Sequence, residues 1–117
     1  IKIVQIIIST KIMKIIILLS TFSTIDEANK ISKLAIESKI AACANIFPIN
    51  SIYSWNENIE NTNEYLVIYK TTDKKIKQLR KFLEENHSYE VPEIIDFELN
   101  HTNSKYLDWI IQSTQSI

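Results

Sequence analysis

The sequence of 117 residues contains no glycine, and that absence removes several chemistries at once. The dinucleotide-binding fingerprint, the phosphate-binding P-loop, the G-x-S-x-G nucleophile elbow and the EF-hand calcium loop all require glycine. The single cysteine, Cys43, excludes an internal disulfide and any cysteine-rich zinc or iron–sulfur centre held by this chain alone. Its two histidines, His87 and His101, form no H-E-x-x-H pair. Thirteen basic residues stand against fourteen acidic ones, and a formal charge of −1 leaves no cationic footprint for a nucleic-acid partner. The longest unbroken apolar run, Ile15–Leu19, is too short to cross a bilayer. No A-x-A-like cleavage site follows a proper apolar core, so a signal peptide fits poorly. A chain without disulfides suits a reducing compartment, and a cytoplasmic location is the expectation.

What remains is an ordinary globular composition, 45% hydrophobic and 23% charged, with length for one core. Isoleucine, asparagine and lysine supply 46 of the 117 residues, which reads as AT-rich coding and is discounted as a functional signal. Met13 is the only methionine. Residues 1–12 therefore read as an extension preceding the native start, and residues 13–117 as the domain.

Ile15–Leu19, rich in β-branched residues, predicts a central strand buried on both faces. Thr24-Ile25-Asp26-Glu27 has the form of a capping box, with Glu27 reaching back to the cap. A helix follows to about Lys39, with Ala28, Ile31, Leu34 and Ala35 as its apolar stripe. Ala42–Phe47 and Ser51–Trp55 read as strands interrupted at Pro48, which marks a bulge or an edge. Asn56-Glu57-Asn58 is a turn signal, and Tyr65–Lys70 a further strand. Thr72 or Asp73 opens a second helix carrying Ile76, Leu79 and Leu83. Ile95, Phe97 and Leu99 alternate with Asp96 and Glu98, predicting a strand with one wet face. Asn103 or Ser104 caps a last helix bearing Leu107, Ile110 and Ile111. The order β-α-β-β-α-β plus a C-terminal helix predicts an α+β, ferredoxin-like split βαβ sandwich.

The lengths are mismatched. A helix of about 15 residues spans roughly 22 Å, whereas hairpin arms of about 11 residues span roughly 36 Å. The hairpin should overhang its helices, with Ile52, Tyr53, Trp55 and Ile59 at its tip. An isolated two-stranded ribbon is marginal in water, so other copies of the chain are expected to cover it.

Several residues are candidates for chemistry. His87, in the run His87-Ser88-Tyr89-Glu90-Val91-Pro92-Glu93, reads either as a metal ligand or proton carrier or as a helix-end histidine facing the dipole. Cys43, among alanines, reads as a small buried hydrophobe or as a thiol awaiting a partner. Lys70 either enters a cleft or snorkels at a strand end. Tyr53, Trp55, Tyr65 and Tyr69 form an aromatic set better suited to a subunit interface than to base stacking. Arg80, the only arginine, lies within a helix, which disfavours a phosphate-cradling loop.

Five motifs in order carry a resemblance. Ala41-Ala42-Cys43-Ala44-Asn45-Ile46, Ser51-Ile52-Tyr53-Ser54-Trp55, Lys70-Thr71-Thr72, Tyr89-Glu90-Val91-Pro92-Glu93-Ile94 and Tyr106-Leu107-Asp108-Trp109 resemble the CutA divalent-ion tolerance proteins from about Met13 to Thr114. The resemblance implies a homotrimer of PII-like architecture, linked to copper and other divalent cations and without enzymatic activity. The copper-binding positions proposed in that family, a cysteine and two adjacent histidines, fall on Ser20, Asn86 and His87; the A-A-C cysteine is kept as Cys43. Ser20 and Asn86 are poor copper donors. Glu57 stands where a hairpin glycine is usual, the glycine after Pro48 is missing, and Ser88 replaces a proline.

The resulting expectation is a divalent-cation tolerance trimer binding a metal, copper or another divalent cation, or a small polar ligand. Its inter-subunit clefts are lined by Tyr53, Trp55, Lys70, Tyr89 and Glu93, with His87 and Cys43 as metal candidates and Lys70 with Glu93 as an acid–base pair. The alternative is a signalling or scaffold trimer that recognises a protein or small effector. An enzyme would need a nucleophile–base pair, for which only Cys43 and His87 are available.

Overall fold

The computed structural model describes residues 13–115; the proposed extension, residues 1–12, lies outside them. Four strands form one antiparallel sheet: β1 (Ile15–Phe22), β2 (Cys43–Trp55), β3 (Asn58–Thr72) and β4 (Ile95–Glu98). Three helices accompany them: α1 (Ile25–Glu37), α2 (Ile76–Asn86) and α3 (Ser104–Thr114). The strand order β2-β3-β1-β4 is the expected ferredoxin-like arrangement. β1 lies between β3 and β4 and is almost wholly buried, as its unbroken apolar run predicts.

The period-2 alternation of β1 and β3 divides two cores. Ile16, Leu18 and Phe22 join Val67 and Tyr69 under Ala28, Ile31 and Ala35 of α1 and Leu79 and Leu83 of α2. The Tyr69 phenol, fully buried there, shares a 3.2 Å hydrogen bond with the Ser32 hydroxyl, and burial pushes its pKa up to about 12. On the opposite face Ile15 and Ile17 pack with Ala42 and with Ile110 of α3.

Several local expectations need correction. Leu34 is 40% exposed; Ser32 takes its place on the buried stripe of α1, where the Tyr69 hydroxyl gives it a partner. Glu27 does not complete the capping box. The Thr24 hydroxyl accepts from the Glu27 N–H at 3.1 Å, but the Glu27 carboxylate turns instead to Ser88, accepting from its N–H at 2.9 Å and its hydroxyl at 2.8 Å. Pro48 does not interrupt β2, whose register with β3 runs without a bulge from Cys43↔Lys70 to Trp55↔Asn58. β2 is an edge strand, where a missing N–H can face outward at no cost to the ladder. α2 begins at Ile76 rather than Thr72 or Asp73, with no side-chain cap on its N-terminus.

In one chain both faces of β4 are partly open, with Glu98 exposed on the expected wet face and Leu99 packed on the other. Asp96 is turned toward α2 and takes a bidentate pair from Arg80, both N···O distances 2.6 Å. Ile95 and Phe97 are 54% and 51% exposed. They stand opposite Leu19 and Ile17, on the α3 side of the sheet.

Glycine-free turns are built by strain and by asparagine. α1 ends in a Schellman motif: the Lys39 N–H bonds Ile36 O and the Ile40 N–H bonds Ala35 O, with Lys39 at φ 61° in the usual glycine position. The hairpin turns on Asn56 and Glu57 alone, at φ 49° and 65°, a two-residue turn that asparagine suits and glutamate does not.

β3 outruns β1. Only Tyr65–Thr72 pairs with β1; the preceding seven residues pair only with β2, an overhang of roughly 23 Å. At its tip Ile52 and Ile59 are 68% and 76% exposed.

Candidate functional site

A cleft of about 610 Å³ opens where β1 stops and the hairpin continues. Its floor is the overhang. Register places Glu64 with Ile49, Thr62 with Ser51, Glu60 with Tyr53 and Asn58 with Trp55, so Glu64, Tyr53 and Trp55 share one face. Thr21 closes one end, and the segment after α2 brings Tyr89, Glu90 and Glu93 over the other side.

That segment is held at three points. Glu27 clamps Ser88, as described above. The imidazole of His87 stacks on Phe22, with centroids 4.5 Å apart and planes 9° from parallel. His87 Nδ1 accepts from the Tyr89 N–H at 3.1 Å, which fixes the proton on Nε2, and Nε2 donates to Thr21 O at 2.8 Å. Tyr89 then donates from its hydroxyl to Glu64 Oε2 at 2.6 Å. Burial and the Glu64 carboxylate together push the Tyr89 pKa strongly upward.

The cleft is acidic and aromatic. Glu64 is buried, at 8% exposure, and the Tyr89 hydroxyl is its hydrogen-bond partner. Among the described residues, ion pairs join Lys14 to Glu98, Arg80 to Asp96 and Lys81 to Glu85; none serves Glu64, Glu90 or Glu93. The Glu93 carboxyl is pushed up by burial first and by the nearby Glu64 charge second. Tyr53 and Trp55, each 41% exposed, supply ring faces.

The sequence candidates thus divide. Tyr53, Trp55, Tyr89 and Glu93 come together in this cleft. His87 braces it from behind, with both nitrogens engaged and no lone pair free. Lys70 lies elsewhere, 5.7 Å from the Tyr106 ring centroid, six residues along β3 from Glu64, or roughly 20 Å. Cys43 faces Asn45, its Sγ 3.6 Å from Oδ1, in a separate groove bordered by Lys33 and Glu37. Lys70 stands opposite Cys43 in the ladder. Within one chain Lys70 therefore does not meet Glu93, and Cys43 does not meet His87.

The copper positions implied by the resemblance do not fit that metal. Ser20 is fully buried, and its hydroxyl oxygen has no hydrogen-bond partner among the described residues. The Asn86 amide donates to Phe82 O at 2.8 Å, and His87 has no free lone pair. Among the described residues no group of three histidine, cysteine or carboxylate side chains is placed to hold a metal ion. Sequence reasoning missed Glu64. Its signal was a charge directly preceding the apolar run of β3, at the row where β1 ends.

A family model for the CutA1 divalent ion tolerance protein matches residues 16–113. The chain is 36% identical over 95 residues to the divalent-cation tolerance protein CutA of Archaeoglobus fulgidus, covering 81% of this chain and 93% of that one. It is 32% identical over 109 residues to the chloroplastic CutA of Arabidopsis thaliana, covering 92% of this chain and 60% of that protein's length. The crystal structure of CutA1 from Ehrlichia chaffeensis superposes with a TM-score of 0.86 at 33% identity, covering 90% of this chain and 99% of that one. The chain belongs to the CutA1 divalent ion tolerance protein family.

Proposed function

We propose that the protein is a non-enzymatic, cytoplasmic homotrimer serving divalent-ion tolerance, and that its clefts take up a divalent cation or a small polar ligand. The observation that carries this reading is the cleft itself, which gathers Glu64, Glu90 and Glu93 without an ion-pair partner in the described chain. Burying a carboxylate is costly unless a cation or donors compensate it, so the site favours positive charge.

Association with other copies is supported by what one chain leaves uncovered. Ile52 and Ile59 on the overhang, and Ile95 and Phe97 on β4, are all more than half exposed. Burying what remains exposed of each such side chain gains on the order of 1–2 kcal/mol. Among the described residues no strand pairs with the outer edge of β2, and an unpaired, apolar edge favours association. One chain does not bring Lys70 to Glu93, so an acid–base pair between them would have to form across a subunit boundary.

Calorimetric titration with manganese(II) and with copper(II), on wild type and on Glu64→Gln and His87→Ala, tests the cleft. The proposal expects saturable binding that Glu64→Gln weakens at least tenfold while His87→Ala changes it far less. Binding that depends on His87 and ignores Glu64 would move the site out of the cleft.

A further inference from the structure

We infer that the segment from Ser88 to Glu93 is held by a proton-operated latch, closed while the His87 imidazole is neutral and opened when its second nitrogen takes a proton. The latch is independent of what the cleft binds. Its parts meet inside one chain, where Phe22 is fully buried and Thr21 is 7% exposed, so it does not depend on how sister copies cover the hairpin.

Three observations lead there. The first is that the two ring nitrogens have opposite roles. Nε2 donates to Thr21 O at 2.8 Å, and Nδ1 accepts from the Tyr89 N–H at 3.1 Å. Only the neutral imidazole has one donor and one acceptor; the imidazolium has two donors. A proton on Nδ1 would point at the Tyr89 N–H, donor against donor, so the charged ring and that hydrogen bond are incompatible. Imidazole is the side chain that ordinarily exchanges its proton between about pH 5 and pH 8.

The second is that the bond at risk aligns the segment. Tyr89 carries the hydroxyl that reaches Glu64 Oε2 at 2.6 Å, and its ring lies 5.1 Å from the imidazole, centroid to centroid. The imidazole is itself stacked on Phe22 at 4.5 Å. It cannot follow a displaced Tyr89 without leaving that stack. Losing the amide bond therefore frees Tyr89 from the brace and loosens its hold on Glu64.

The third is the charge around the ring. α1 presents Glu27, bound to the N–H and hydroxyl of Ser88. β3 presents Glu64, reached through Tyr89, and β2 brings the Tyr53 phenol to the same cleft as Tyr89. β1 presents the Thr21 carbonyl and the Phe22 ring, neither of them titratable. The segment itself carries Glu90 and Glu93, and α2 ends with Glu84, Glu85 and Asn86. Among the described residues no carboxylate pairs directly with the imidazole. Glu27 and Glu64 draw a proton toward the ring, yet neither accepts from Nδ1.

The test follows the assembled protein by NMR from about pH 8 to about pH 5. The His87 ring nitrogens report tautomer and charge. The Tyr89 amide is read by hydrogen exchange, corrected for its intrinsic pH dependence. The inference expects the Nε2–H tautomer at the upper limit and one imidazole titration. Tyr89 protection should fall at least tenfold with the same midpoint, while Val67, in the middle of β3, keeps its protection. His87→Phe keeps a ring on Phe22 but cannot titrate, and should show weak Tyr89 protection at every pH with no transition. Glu93→Gln should leave the transition in place. If His87→Phe does not fold, the coincidence of the two wild-type midpoints and the Glu93→Gln transition decide. An imidazole that titrates while Tyr89 protection stays unchanged overturns the inference. So does a ring that remains neutral over the whole range, or a Tyr89 transition that persists in His87→Phe or vanishes in Glu93→Gln.

Discussion

The Tyr89 hydroxyl and the Glu64 carboxylate meet at 2.6 Å, joining the segment after α2 to the first row of β3 beyond the end of β1. Tyr89→Phe deletes the donor and leaves Glu64 buried without it. The expected loss is about 1–3 kcal/mol of stability, read as a lower urea midpoint with unchanged slope. In a double-mutant cycle with Glu64→Gln the two losses should be strongly non-additive. Additive losses would mean that the contact contributes little.

His87 is a brace whose two nitrogens serve Thr21 O and the Tyr89 N–H. His87→Phe keeps a ring against Phe22 but removes both hydrogen bonds. Amide hydrogen exchange should accelerate from Ser88 to Glu93, with α1 and β3 unaffected. Unchanged protection at Tyr89 would contradict the brace.

Acid and neutral pH should separate two carboxylates. Arg80 holds the Asp96 carboxyl below its ordinary range, so the pair adds stability above the unfolded-state pKa and loses it as pH falls through the depressed folded value. Glu93 has the opposite sign. Its pKa is raised by burial and by Glu64, so its contribution is fully present below the unfolded value and is lost as pH rises through the folded one. Asp96→Asn should therefore flatten the acid limb of a melting-temperature profile, and Glu93→Gln should raise the melting temperature near pH 7. A Glu93→Gln protein no more stable than wild type at pH 7 would rule out the burial penalty on this side chain.

The hairpin turn stores strain at Glu57, which sits at φ 65° on an exposed tip. Left-handed backbone costs a non-glycine residue about 1–2 kcal/mol. Glu57→Gly should raise the melting temperature by several degrees, and Glu57→Val, β-branched, should lower it. A glycine variant that melts below wild type would show that the turn has found another compensation.

Much of this architecture was legible because local signals agreed with one another. The apolar run of β1, the stripe Ile76, Leu79 and Leu83, and the turn residues Asn56 and Glu57 each pointed to one element. The errors came where tertiary contact overrides pattern. Leu34 matches the helical period, yet Ser32 is buried because Tyr69 supplies a hydrogen bond. Ile95 and Phe97 share the face of Ile17 and Leu19, yet one chain leaves both more than half exposed, while Arg80 takes Asp96 toward α2. At the site, Tyr53, Trp55, Tyr89 and Glu93 were within reach of sequence reasoning as members of aromatic and acidic clusters. Glu64 was not, since its burial depends on the strand row at which β1 ends. The bracing of His87 depends on Phe22, stacked on its ring, and on Thr21 O, bonded to Nε2, which are 65 or more residues away in sequence and invisible to local spacing.

The central claim is that the overhanging ribbon is covered by sister copies. Light scattering on the purified protein at micromolar concentration tests it most directly. The account predicts a molar mass three times the 13.6 kDa of one chain, unchanged on dilution; a single-chain mass, with the ribbon still folded, would contradict it.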